Sequence, residues 1–231
     1  MCDHMAEDYV ECIKVTRYCR GDVDLEECLE RRACIEYREP IEDWVRIKHG
    51  NPYDITKPCD DPFGSRCDPI GSRIHIYLDS DDVRETLEIP EKDIFRSPSP
   101  DIELGFLFHT QEPILDVQPD VVLLLDKGID FLVYQGNLDL YFNTVGNLRW
   151  AEDVLWKGQA EFRSQSKASW QVRSGTEAGW FKEIFIRRGD AGGKTRFSFV
   201  TLDGAGHFAP ADKPEAALDM LTKWLHDQPF S

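Results

Sequence analysis

Apolar residues along this chain gather into two short runs, Phe131-Leu132-Val133-Tyr134 and Phe197-Ser198-Phe199-Val200-Thr201-Leu202, each of strand length and each followed by a glycine-containing segment. That pattern predicts two strands that give way to loops. Beyond the second run the period changes. Ala217, Leu218, Leu221, Trp224 and Leu225 recur at helical spacing behind Pro214, a residue suited to a first turn, so Pro214 to His226 is expected to form an amphipathic helix covering one face of a sheet. Upstream, Ser80-Asp81-Asp82 is placed to cap a helix running through Val83 and Leu87, which Ile89-Pro90 stops. Arg73 to Tyr77 alternates briefly, and short helices are expected around Ala6 to Arg17 and Asp24 to Arg32. Ser97-Pro98-Ser99-Pro100 cannot continue regular structure, while Ser164 to Arg173 and Arg187 to Lys194 read as surface connections.

With 231 residues, 41% of them hydrophobic and 11% aromatic, the chain can bury a core in one sizeable domain or two small ones. No window approaches the roughly 18 apolar residues that would cross a bilayer; the longest run, Val121 to Leu125, meets Asp126-Lys127, so no membrane partner is expected. The acidic start, Met1 to Asp8, lacks the apolar segment of a secretory signal peptide as written. A formal charge of -16 excludes the net basic surface that a nucleic-acid partner calls for. The acidity reads as an ordinary solvated surface.

The cysteines change the picture more. Cys2, Cys12, Cys19, Cys28, Cys34, Cys59 and Cys67 all lie in the first third, with no paired C-x-x-C knuckles. Such use favours a disulfide framework made in an oxidising compartment, and the odd count leaves one thiol over. His4 and His49 are too scattered to complete a zinc site, so neither metal nor cofactor is expected. Residues 1–70 are therefore expected to form a cysteine-rich, stapled insertion and residues 71–231 a core of strands and helices.

Candidate chemistry sits after the two apolar runs. Asp139 in Gly136-Asn137-Leu138-Asp139 and His207 in Gly204-Ala205-Gly206-His207 both lie where a strand becomes a loop. Taken singly, an aspartate after a strand is also an ordinary turn residue and a histidine among glycines an ordinary loop residue. Their order adds weight, because α/β-hydrolases carry nucleophile, acid and histidine in that sequence, with the histidine near the end. The nucleophile's G-x-S-x-G elbow is absent: none of the 16 glycines has a serine two positions on.

Together, the cysteine spacing, Asn51-Pro52-Tyr53-Asp54-Ile55 with Lys57 and Cys59, Phe106-Leu107-Phe108, Tyr134 to Asp139, Asn143 to Trp150 and Gly206-His207 resemble the serine carboxypeptidase family, most nearly the C-terminal half of its fungal carboxypeptidase Y branch. The resemblance implies an α/β fold, a partial α/β-hydrolase made of its C-terminal strands and helices, with a disulfide-stapled helical lid insertion at the mouth of the active site. It implies the pairs Cys12 with Cys34, Cys19 with Cys28 and Cys59 with Cys67, leaving Cys2 over. Closing the span from Cys12 to Cys34 would contribute roughly 3 kcal/mol.

The family reaction is hydrolysis of the C-terminal peptide bond by a Ser-Asp-His triad. By resemblance His207 is the general base, Asp139 its orienting acid, and the partner a peptide with a free C-terminus. Leu140, Tyr141, Phe142 and Phe208 stand at family pocket positions, where they make the pocket more aromatic; plain core packing is an equal reading for Tyr141, Phe142 and Phe208. Glu112 stands where a pocket tryptophan is expected, and Pro98 or a neighbour replaces a tethering cysteine. The family is secreted or vacuolar. Two functions follow: a carboxypeptidase shortened or divided so that this part alone is inactive, or a non-catalytic relative that binds a peptide or protein.

Overall fold

The computed structural model describes residues 48, 50–59, 67, 71–90, 93, 95, 99, 101, 102, 105, 106, 117–187 and 193–230. The expected helices over 6–17 and 24–32, the pairs Cys12–Cys34 and Cys19–Cys28, the spare Cys2, and positions Pro98 and Glu112 lie outside them. The chain divides into two compact units, one of residues 1–51 and 58–116, the other of residues 52–57 and 117–231.

In the first unit, α1 (Gly71–Leu78) and α2 (Asp81–Thr86) follow one another. The alternating stretch Arg73 to Tyr77 is thus helical. A helix satisfies its own backbone donors, whereas a strand needs a partner, and no partner strand for it exists among the described residues. Ser80 stands at the N-cap of α2 as expected, but its hydroxyl donates to the Tyr77 carbonyl (2.7 Å) and makes no capping bond. Cys59 and Cys67 form the disulfide that the resemblance implies, with Cα atoms 4.7 Å apart.

The second unit is a layered α/β structure. Its elements run α3 (Gln118–Asp126), β1 (Phe131–Gly136), α4 (Thr144–Asp153), α5 (Gln159–Ser164), β2 (Ala168–Gln171), β3 (Glu177–Arg187), β4 (Lys194–Leu202), α6 (Ala209–Asp212) and α7 (Pro214–Leu225). The sheet order is β1-β4-β3-β2. β1 pairs parallel with β4, from Phe131 opposite Phe197 to Gly136 opposite Leu202, and the remaining pairs are antiparallel. The two apolar runs of the sequence are therefore neighbours, and their C-terminal ends emerge side by side.

Alternation along β4 feeds two cores. Phe197 and Phe199 pack with Val121 and Leu125 of α3, Ala151 of α4 and Phe162 of α5, while Val200 and Leu202 pack with Phe181, Trp170 and the α7 residues Ala216, Ala217 and Met220. Such a strand, covered on both faces, reads as a near-continuous apolar run. The stretch 164–173, expected as a connection, contains edge strand β2. Its exposed Ser169 and Gln171 flank a Trp170 that is 1% exposed and donates its indole N–H to the Thr201 carbonyl (2.9 Å).

Helix α7 forms where the sequence predicts it, but only Ala217 and Trp224 of the expected stripe face inward. Ala216, Ala217 and Met220 are buried and Trp224 packs against them, whereas Leu218, Leu221 and Leu225 are 68%, 46% and 70% exposed. Small residues let the helix approach the sheet closely, and both stripes have helical spacing, so periodicity alone does not separate them. Met220→Ala is expected to cost about 2–5 kcal/mol. Leu218→Ala should stay within about 0.5 kcal/mol. Urea unfolding of the two variants measures this directly, and the reverse ranking would contradict the observed face.

Candidate active site

The parallel pairing of β1 with β4 brings the loops that follow them to one edge of the sheet. Past β4, the Leu138 N–H donates to the Ala205 carbonyl (2.8 Å) and the Asn137 N–H to the Leu202 carbonyl (3.3 Å). The two loops approach so closely that a Cβ on Gly136 would fall 2.1 Å from the Gly206 carbonyl oxygen. Only glycine fits there, since real Cβ atoms do not come so near backbone.

This seam carries Asp139 to His207. The Asp139 carboxylate is 2% exposed; one oxygen accepts from the Phe142 N–H (3.1 Å), and the other lies 2.8 Å from His207 Nδ1. An ionised carboxylate only accepts, so the proton of this bond belongs to Nδ1, which leaves the lone pair of a neutral ring on Nε2. The His207 side chain is 32% exposed. It borders a cavity of about 260 Å³ that is also lined by Val133, Gln135, Gly136, Asp139, Phe142 and Asn147. Gln135 is buried and accepts from the Asn147 amide (2.7 Å), which fixes the polar wall of that cavity.

Of the expected pocket residues, Phe142 lines this cavity and its ring lies 5.3 Å from that of His207. Phe208 meets His207 edge-on at 5.2 Å and is half exposed. Tyr141 packs against Tyr53, at 5.2 Å, and Leu140 is half-buried, with its N–H donating to the Pro52 carbonyl (2.9 Å). No group of three or more His, Cys, Asp and Glu side chains able to hold a metal occurs among the described residues.

A third segment, 52–57, buttresses both loops. Its Ile55 N–H donates to the Leu138 carbonyl (3.0 Å), and its Tyr53 carbonyl accepts the His207 N–H (2.7 Å). A Cβ on Gly206 would lie 2.2 Å from that same carbonyl oxygen. Nearby, Lys57 Nζ bridges Asp54 (2.9 Å) and Asp212 (2.8 Å), and the second Asp212 oxygen accepts the Gly206 N–H (2.9 Å). The other Asp54 oxygen accepts from both the Thr56 N–H (3.0 Å) and its hydroxyl (2.6 Å). Sequence reasoning names Tyr53, Asp54, Lys57, Gln135 and Asn147 only within segments of the resemblance, and it misses Asp212. No local periodicity marks a residue whose partner lies so far along the chain.

The comparisons with known proteins decide the family. The serine carboxypeptidase profile matches residues 2–227.

The chain belongs to the serine carboxypeptidase family.

Within the family it is 32% identical over 228 residues to serine carboxypeptidase-like 47 of Arabidopsis thaliana, covering 96% of this chain and 40% of that protein. It is also 32% identical over 176 residues to carboxypeptidase Y of Saccharomyces cerevisiae, covering 76% and 31% of the two chains. Its fold is similar to that of Kex1(delta)p, a prohormone-processing carboxypeptidase of Saccharomyces cerevisiae, with a TM-score of 0.65 at 15% identity over 97% of this chain and 47% of that one. The chain thus spans well under half the length of these curated relatives. The fold is the α/β arrangement that the resemblance implies. No described helix is long and apolar enough to cross a membrane.

The charges of the buttress have a defined pH window. Burial pushes the Asp54 carboxyl up, but the hydrogen bonds from Thr56 and Lys57, with the lysine's charge, outweigh it and hold the group below its ordinary value. Lys57 is raised, chiefly by its bond to Asp212 and then by its bond to Asp54, against a desolvation that lowers it. The Asp54 contribution to stability is therefore fully present above about pH 4 and is lost as pH falls through its lowered native pKa. That of Lys57 is present below about pH 10.4 and is lost as pH rises through its raised one. Asp54→Asn should lower stability by a constant amount between about pH 5 and 9, a difference that shrinks below about pH 4. Urea melts across pH check this, and a difference that widens on acidification would contradict it.

Proposed function

We propose that Asp139 and His207 are the acid and the base of a Ser-His-Asp triad that hydrolyses the C-terminal peptide bond of a peptide, with the serine supplied by polypeptide outside these 231 residues. The observation that carries this reading is the 2.8 Å contact between His207 Nδ1 and a buried Asp139 carboxylate at a cavity wall. In that arrangement Asp139 fixes the tautomer and stabilises the imidazolium, while Nε2 accepts the serine proton and later returns it to the departing amino acid. Family membership supports the reaction class, and the missing G-x-S-x-G elbow is why the chain by itself lacks a nucleophile. Of the aromatic groups placed near family pocket positions, Phe142 offers its ring to the cavity and favours an apolar substrate side chain.

The substrate is accordingly a peptide with a free terminal carboxylate, and an oxidising compartment suits the Cys59–Cys67 bridge. Loss of a triad serine alone can cost about six orders of magnitude in turnover. The purified chain should therefore release no C-terminal amino acid from a blocked dipeptide at mildly acidic pH. Mixing it with the serine-bearing half of a relative should restore hydrolysis. His207→Ala should abolish the restored rate, and Asp139→Asn should lower it by about 10⁴-fold. Turnover by the isolated chain, or restored turnover indifferent to His207→Ala, would overturn the proposal; binding of the peptide without turnover in every mixture would favour a non-catalytic relative.

A further inference from the structure

We propose that Lys57, held between Asp54 and Asp212, is a positioning residue that sets the His207 ring against Asp139. The inference rests on the reading of Asp139 and His207 as a working pair. Lys57 lies 155 positions from Asp212, and its ammonium joins two segments that the chain visits far apart. Its side chain is 53% exposed, so its ion pairs are of the kind that contribute little to global stability. Their effect is geometric. Asp212 is anchored by Lys57 through one oxygen and holds the Gly206 N–H with the other, so the lysine fixes the Ala205–Gly206 peptide, one unit before that of His207.

On the adjacent amide the Tyr53 carbonyl accepts the His207 N–H, and Tyr53 belongs to the same six-residue segment as Asp54 and Lys57. Successive backbone N–H groups of the histidine loop are thus pinned from one segment, one directly and one through the lysine. Gly206 leaves no slack, since its Cα faces the Tyr53 carbonyl at a distance that excludes a side chain. The Tyr53 ring, 5.3 Å from that of His207, covers a side of the imidazole. Without the ammonium, Asp54 and Asp212 would keep two like charges close together, and their repulsion would push segment 52–57 from the histidine loop.

The test reads the imidazole itself, in the full chain labelled with ¹⁵N-histidine, at about pH 8.5 where free histidine is neutral. The six histidines are assigned by substitution, and the ring-nitrogen shifts of His207 report its tautomer. Asp139→Ala, which leaves no side-chain acceptor or donor at that position, defines the shift for a ring that has lost its partner. Lys57→Met is expected to move both signals roughly a third or more of that way, as a population-weighted average of held and released rings. Lys57→Arg should return them. Lys223→Met, which breaks the Lys223–Asp219 pair of α7, should leave them in place.

If Asp139→Ala moves the signals and Lys57→Met does not, the positioning role alone is overturned. If Asp139→Ala itself moves nothing, the pair reading falls and this inference with it. An equal displacement by Lys223→Met would show a general loosening and overturn the specific role. Unfolding of both Lys57→Met and the milder Lys57→Gln would do the same, because the lysine would then be holding the fold and not the ring.

Discussion

The seam between the loops after β1 and β4 is the constraint on which the site depends. Parallel strands deliver both loops to the same sheet edge, and the bonds from Asn137 and Leu138 to the other strand's end bring the backbones together. Gly136 and Gly206 make that approach sterically possible. Once the backbones meet, the Asp139 carboxylate has little freedom left: it is buried, accepts the Phe142 N–H and finds His207 at hydrogen-bond distance. A carboxylate so placed needs its donors, because an unpaired buried charge costs far more than a paired one.

The sheet makes the seam rigid by burying β4 on both faces. Phe197 and Phe199 lock one side to α3, α4 and α5, and Val200 and Leu202 lock the other to α7 and its neighbours. Several polar groups within these layers are also paired. Arg196 bonds Glu183 (2.5 Å) and the Gln228 carbonyl (2.8 Å), and Trp170 bonds Thr201. An Asp-His pair held on loops gains its precision from such a base. The aromatic rings of Tyr53, Phe142 and Phe208 then surround the imidazole, so the expected choice between core and pocket is not a single choice: Phe142 lines the cavity while Tyr141 packs on the buttress.

Much of this was legible in the chain wherever the signal is local. The runs 131–134 and 197–202 mark β1 and β4 because their residues suit a buried strand, and Pro214 marks the start of α7. Edge strand β2 was illegible because its polar residues look like a loop and only Trp170 is buried. Of the α7 stripe only Ala217 and Trp224 are legible, because alanines next to a sheet carry less hydrophobic weight than the leucines left in solvent. Asp139 and His207 were legible from strand ends and order. Asp212 and Lys57 were not, since their meaning lies in a contact between distant segments that no spacing rule encodes.

The proposed role of the Asp139–His207 pair is to activate a serine from outside these 231 residues. Its most direct test is a crystal structure of the chain bound to the serine-bearing half of a relative and inhibited by a phosphonate peptide analogue. His207 Nε2 is expected within about 2.6–3.2 Å of the serine oxygen, with the Nδ1 bond to Asp139 retained. A serine well beyond that reach, or an imidazole turned away from Asp139 in the bound complex, would contradict it.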